Sequence, residues 1–210
     1  MKFLKKYYPY FLLGGTLSDF LMPYLLGFFV PHYHHLTQLI SYLGEKKSPV
    51  AEAANVWSVV SGCLLIIGAL GSYFALRKVQ KLSAILFSSA ITLFALGDCI
   101  INGLFTVSHE HPLITAVHDA GSGVGFIALL VAPLILSYYY QMQQQKSQRN
   151  HYFGYFLVAA FFNLLYAAPH LSFLRETFLT QHRGLWQRLA LFTMYLPVFI
   201  FAYQKQQKRS

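Results

Sequence analysis

Residues 83–107 read SAILFSSAITLFALGDCIINGLFTV, and the whole stretch carries a single formal charge, at Asp98. As a helix it would be about 37 Å long, enough to cross a hydrocarbon core of roughly 30 Å. An apolar run of this length reads as a membrane-spanning helix, which satisfies its backbone hydrogen bonds internally.

Comparable apolar stretches recur on both sides of it, at residues 10–30, 57–76, 120–140, 152–171 and 185–203. The expectation is an all-α, polytopic membrane helix bundle of six transmembrane helices, forming one integral membrane domain over residues 1–210. The first stretch follows Lys2, Lys5 and Lys6 in the manner of a secretory signal. It is too long for an h-region and lacks a small-residue cleavage site, so it is expected to stay attached.

Composition agrees. Hydrophobic residues make up 56% of the chain and charged residues 11%, a balance foreign to soluble globular proteins. The formal charge of +9 does not point to nucleic acid, because the basic residues fall in short clusters between the spans and form no stripe. Counted by loop, 11 of the 16 Lys and Arg residues lie on the side of the N-terminus, including Lys2, Arg77, Lys78, Lys146 and Lys205. The other 5 are Lys46, Lys47, Arg175, Arg183 and Arg188. Short basic loops stay in the cytoplasm, so both ends are expected there. Cys63 and Cys99 each sit inside an apolar run, which gives neither a disulfide framework nor a thiolate metal motif and reads as two buried free thiols.

The longest connection, residues 31–55, has a pattern of its own. Leu36, Leu39, Ile40 and Leu43 recur at helical spacing and Gly44 follows as a C-cap, which predicts a short helix in the outer interface after the first span. Ser48 and Pro49 read as the N-cap and first residue of the next helix.

Inside the spans the informative residues are polar. Asp19 lies near the middle of the first span, Asp98 in the outer half of the third, and Asp119 at the outer mouth of the fourth. Asn102 is one turn beyond Asp98, and Asn163, Tyr166 and His170 form a stripe along the fifth span. Arg188 enters the sixth at a depth suited to neutralising Asp98. A carboxylate in hydrocarbon must be protonated, paired or in a wet cavity, and such groups mark functional sites by default. These residues predict a polar cavity opening outward. The alternative is that they are helix-packing hydrogen bonds. Glycines 121, 123 and 125 read as a close-packing helix surface, since no strand precedes them to make a phosphate loop.

Of nine histidines, only His151 falls on the cytoplasmic side. His109, Glu110 and His111 end the third span, and His118 with Asp119 starts the fourth. With His170 the four histidines compose a candidate site for a divalent metal such as zinc, or for acid/base work near neutral pH. Their spacing matches no standard metal signature.

The succession Gly97-Asp98, Gly103-Leu104-Phe105, His109, His118 and Gly184-Leu185-Trp186-Gln187-Arg188-Leu189 resembles the bacterial membrane proteins grouped as domain of unknown function 998. Leu39-Ile40-Ser41-Tyr42-Leu43-Gly44 with Ser48-Pro49 is similar to that family's segment after the first span, usually Ser-Glu-Leu-Gly. Tyr42 stands where an acidic residue is common, which argues against a carboxylate role there. The resemblance implies six spans and a bacterial cytoplasmic membrane, and no established activity.

The function expected from the sequence is a membrane module whose outward polar cavity binds a small molecule, ion or lipid headgroup. One alternative is a membrane-embedded, metal-dependent hydrolase at the outer leaflet that works through His109, His111, His118 and Asp98. Another is a structural partner subunit.

Overall fold

The computed structural model describes residues 1–108, 110–169 and 177–207, together with the backbone of His170. Every described element is helical. Six long helices dominate: α1 (Lys2–Gly27), α2 (Ala51–Leu76), α3 (Lys81–Leu104), α4 (Pro112–Met142), α5 (Lys146–Ala167) and α6 (Arg183–Gln207). Four of them, α2, α3, α4 and α6, are long and apolar enough to cross a membrane. The other two have the length, at 26 and 22 residues, but carry more polarity. In α1 it comes from Tyr7, Tyr8, Tyr10, Ser18 and Asp19, and in α5 from the hydrophilic first turns and Asn163.

Short connections at residues 77–80, 105–111 and 143–145 join α2 to α5 as antiparallel neighbours, and each helix packs against the next in sequence until α6 closes on α1. The ring is drawn together by small residues. A Cβ on Gly15 would lie 2.8 Å from the Leu65 side chain, and one on Gly68 would lie 2.7 Å from that of Leu12. Ser72 and Ser88 join α2 to α3, their hydroxyls 3.2 Å apart and both donating to the Ala69 carbonyl.

The end of the ring that carries the two chain termini, here the base, is filled with aromatic rings. Tyr8, Phe87, Tyr139, Tyr152 and Phe201 are buried there. Phe87 meets Phe201 edge-on at 5.2 Å between centroids, and Tyr140 stacks on Tyr152 at the same distance. Lys205 lies over the rings of Tyr139 and Phe201 at 5.1 and 5.3 Å, so the ammonium closes the base over a π surface.

The far end is built differently. The connection between α1 and α2 folds back over the first turns of α6. Leu185 N–H donates to the Leu36 carbonyl at 2.8 Å, and Ile40 N–H donates to Gln187 Oε1 at 2.8 Å. Gly184 makes the approach possible, because a Cβ there would run into the carbonyl oxygens of Gln38 and His35.

Three local expectations are corrected here. The helix after α1 is a five-residue 3₁₀ turn, Ile40–Gly44, and Leu36 lies outside it on the surface. Ser48 does not cap α2. Its hydroxyl accepts from Val50 N–H at 3.4 Å within a turn, and the helix begins at Ala51. Cys99 is buried, whereas Cys63 is exposed on the outer surface of α2.

Candidate functional site

A cavity of about 740 Å³ lies among the helices at the far end. Part of its wall is a change of winding in α3. From Ala95 to Ile101 the helix is a π-helix, a form that recurs at functional sites because it re-aims side chains. Glycines press on it from both sides. A Cβ on Gly62 of α2 would sit 2.8 Å from Ile100 and 3.0 Å from the Ala95 carbonyl, while Gly97 itself backs onto Gly121 of α4. Ser58 Oγ donates to the Cys99 carbonyl at 3.0 Å, taking up an acceptor within the wide turn.

The π-helical stretch carries Asp98 at the cavity wall. Its carboxylate accepts from Ser122 Oγ at 2.9 Å and from Asn102 Nδ2 at 3.3 Å. Across the cavity, Asp19 of α1 accepts from the Tyr195 hydroxyl, and the Cys99 thiol lies 3.7 Å from its Oδ1. Among the described residues, neither carboxyl group has a cationic partner.

Arg188 lies one level nearer the far end of the ring. Tyr195 follows it by seven residues, which puts the Asp19 contact about 10 Å further along α6. Arg188 is only 5% exposed. Nη1 donates to the Gln38 carbonyl at 2.9 Å and to the Gly184 carbonyl at 3.0 Å. Nη2 donates to the Tyr33 hydroxyl at 2.5 Å and faces His35 Nδ1 at 3.5 Å. The expected pairing with Asp98 is not formed, because the folded-back connection supplies neutral acceptors closer to the helix. Burial raises the Tyr33 hydroxyl above its ordinary pKa, although the neighbouring Arg188 charge pulls it the other way. Burial, with the Arg188 charge adding to it, holds the His35 imidazole below its ordinary value.

All seven residues singled out for a polar cavity line this one: Asp19, Asp98, Asn102, Asp119, Asn163, Tyr166 and Arg188, drawn from five helices. Asn163 donates to the Ala159 carbonyl of its own helix at 2.8 Å, and Tyr166 packs against Phe126 at 5.3 Å between centroids. The histidines do not behave as a group. His118 is buried at the cavity wall with Nδ1 2.9 Å from the Phe105 carbonyl, whereas His111 is exposed and does not line the cavity. His109 and the side chain of His170 lie outside the described residues. Among the described residues, no group of three or more His, Cys, Asp or Glu side chains is placed to hold a metal ion.

Sequence reasoning missed Ser122, Tyr195, Tyr33 and His35. The first two had a signal, since Ser122 is one turn after His118, and Tyr195 is two turns after Gln187 on the same face. Tyr33 and His35 had none, because they reach the site through a tertiary fold-back. The glycine stripe is also split. Gly121 and Gly125 pack against α3, while Gly123 has nothing within 4 Å of a Cβ position and borders the cavity.

Residues 13–204 match the family described as "Protein of unknown function (DUF998)". The match spans most of the chain, which therefore belongs to that family. No curated protein and no solved structure shows significant similarity to it.

Proposed function

We propose that this member of the family is a six-span protein of the bacterial cytoplasmic membrane. It forms a single membrane domain with both termini in the cytoplasm, and its outward-opening cavity binds a small molecule, ion or lipid headgroup. The observation that carries the reading is the convergence of seven polar side chains from five helices on one cavity of about 740 Å³, within the usual size range of ligand sites. Helix lengths support the span count. At 1.5 Å per residue, α1 and α5 reach about 39 and 33 Å, so both match the core thickness. Asp19 and Asn163 border the cavity, Ser18 is bonded to Ser61 and Trp57 of α2, and most of the other polar residues sit in the first turns, where they need not meet lipid.

Sidedness is tested by single cysteines at Lys78, Lys146, Lys46 and His111, labelled in intact cells with an impermeant maleimide. Positions 46 and 111 should react and positions 78 and 146 should not. Reaction at both 46 and 78 would end the six-span reading. Ligand binding is tested by native mass spectrometry of protein purified in mild detergent, which should show a retained small molecule that is lost when the cavity is filled.

A second reading, a metal-dependent hydrolase, has one observation in its favour: His118 and Asp119 border the same cavity as Asp98. With Nδ1 held by a carbonyl, His118 would offer a metal only Nε2. Stoichiometric zinc in the purified protein would favour this reading over the binding module.

A further inference from the structure

The charges in the cavity are unevenly distributed. Deep in it are two carboxyl groups, Asp19 and Asp98, held by neutral donors. Nearer the far end are Arg188, a buried guanidinium whose bonding partners among the described residues are all neutral, Arg183, and one exposed carboxyl group, Asp119. Three buried side-chain atoms on the lining have no hydrogen-bond partner among the described residues: Asn102 Oδ1, Arg183 Nε and Arg188 Nε. Two of the three are N–H donors of permanently charged groups. Buried polar groups are almost always satisfied, and an uncompensated buried charge is costly. A purely structural clamp for the connecting segment would account for the two Nη atoms of Arg188. It accounts neither for the unused Nε–H nor for Arg183.

The wall is open in one direction. Ile127 on α4 and Leu164 on α5 both line the cavity, yet they are 67% and 70% exposed. Gly123, one turn from Ile127, has no neighbour at its Cβ position. The cavity therefore reaches the outer surface of the ring between α4 and α5, through apolar side chains, on a face that lipid would cover in a membrane. Free ions have no reason to use such a passage, whereas a molecule with a hydrocarbon part does.

We propose that the cavity takes an anionic amphiphile, its phosphate or carboxylate oxyanion seated against Arg188 and Arg183 and its hydrocarbon part leaving between α4 and α5. The proposal rests on the reading of this cavity as a binding site and specifies the ligand class. The donors fix the orientation: the deep level offers an oxyanion two carboxyl groups and no cation, whereas the far end offers two guanidinium groups, with the Asp119 carboxyl exposed beside them. Phe20, Phe126, Leu130 and Leu191 supply apolar surface on the lining. Charge-assisted bonds from guanidinium to oxyanion are among the strongest available and suit phosphate and carboxylate geometry.

The test uses the full chain in dodecyl maltoside and follows its melting temperature against four probes: dodecyl phosphate, dodecyltrimethylammonium, dodecanol and inorganic phosphate. Dodecyl phosphate should stabilise saturably, at a midpoint at least about tenfold below that of the cationic or neutral probe. Inorganic phosphate should compete with it only weakly. Equal or better stabilisation by dodecyltrimethylammonium or dodecanol would overturn the anionic class while leaving a binding cavity in place. Stabilisation by inorganic phosphate at least as tight as by dodecyl phosphate would overturn the amphiphile. No saturable effect from any probe would count against both this proposal and the binding-module reading.

Two variants sharpen the result. R188K keeps the charge and loses the fork, and should weaken dodecyl phosphate about tenfold. G123F sits where the backbone has room and blocks the passage. It should weaken dodecyl phosphate while leaving inorganic phosphate unchanged, and equal binding of dodecyl phosphate to G123F and wild type would overturn the lateral seat.

Discussion

The two ends of this ring are made from the same helices and solve opposite problems. At the base, Phe87, Tyr139, Tyr140, Tyr152 and Phe201 pack the interior, with neighbouring ring centroids 5.2 to 6.4 Å apart, and Gln204 and Lys205 engage the hydroxyls and π faces. At the far end the helices spread around a π-helical turn, and the interior is a cavity with acids, amides and guanidinium groups on its wall. Dense packing in one half can hold a polar, incompletely bonded other half in shape, as a rigid base holds the sides of a cup. That division makes the two halves respond differently to the same kind of change.

The largest contrast is expected for deletions of bulk. Phe201→Ala should destabilise the protein by about 3 to 5 kcal/mol, because a rigid aromatic cluster cannot collapse around the hole. Leu191→Ala, on the cavity wall, should cost about 1 to 2 kcal/mol less, since one side of Leu191 already lacks packing partners. Urea unfolding in a fixed micelle compares them, and equal losses would remove the distinction between the ends.

Next in size is the contact between the π-helical turn and α4. A Cβ on Gly97 would run into the Gly121 carbonyl, so Gly97→Val should cost about 1 to 3 kcal/mol and change the cavity through Asp98. Smaller again are the polar bonds of the wall. In double-mutant cycles Asp98 and Ser122 should couple by about 0.6 to 1.7 kcal/mol. Asp98 and Arg188 should be additive within about 0.5 kcal/mol, because they share no bond. Strong coupling of the second pair would restore the ion pair that the depth argument suggested. The smallest effect belongs to Gly123→Ala, which should stabilise by up to about 1 kcal/mol through helix propensity alone, there being no neighbour to displace. A loss there would mean the wall is closed.

These particulars also separate what could be read from the sequence. The long apolar runs around Asp98 and on either side of it set the helices, since span length and composition are properties of each segment alone. Asp98 with Asn102, and Asn163 with Tyr166, could be placed on common faces by counting turns. The partner of Arg188 could not. Helix periodicity fixes depth and face, but Arg188 is claimed by the backbone of Gln38, 150 residues earlier in the chain. Nothing local encodes that fold-back except Gly184, whose missing side chain is legible as a glycine and not as the reason for it. The winding of α3 was hidden for a similar cause. Gly62, Gly97 and Gly121 are separate letters until the three helices meet. The four-histidine site was inferred from side and spacing. Of the two members with described side chains, His118 and His111 face different surroundings, which sequence distance does not reveal.

The π-helical stretch of α3 has a bearing on how this chain can change its length. A π turn holds one residue more than an α turn over nearly the same rise. Removing a single residue between Ala95 and Ile101 can therefore be absorbed by a return to regular winding, leaving the segment from Asn102 to Leu104 in register. Removing a residue from a regular part of the same helix would turn everything beyond it by about 100°. An ancestral insertion accepted here would have cost the helix little outside its own turn and would have carried Asp98 to the wall it now occupies. The tolerance runs both ways, so the position at which α3 best survives a deletion is also the position at which the deletion erases the acid from the cavity.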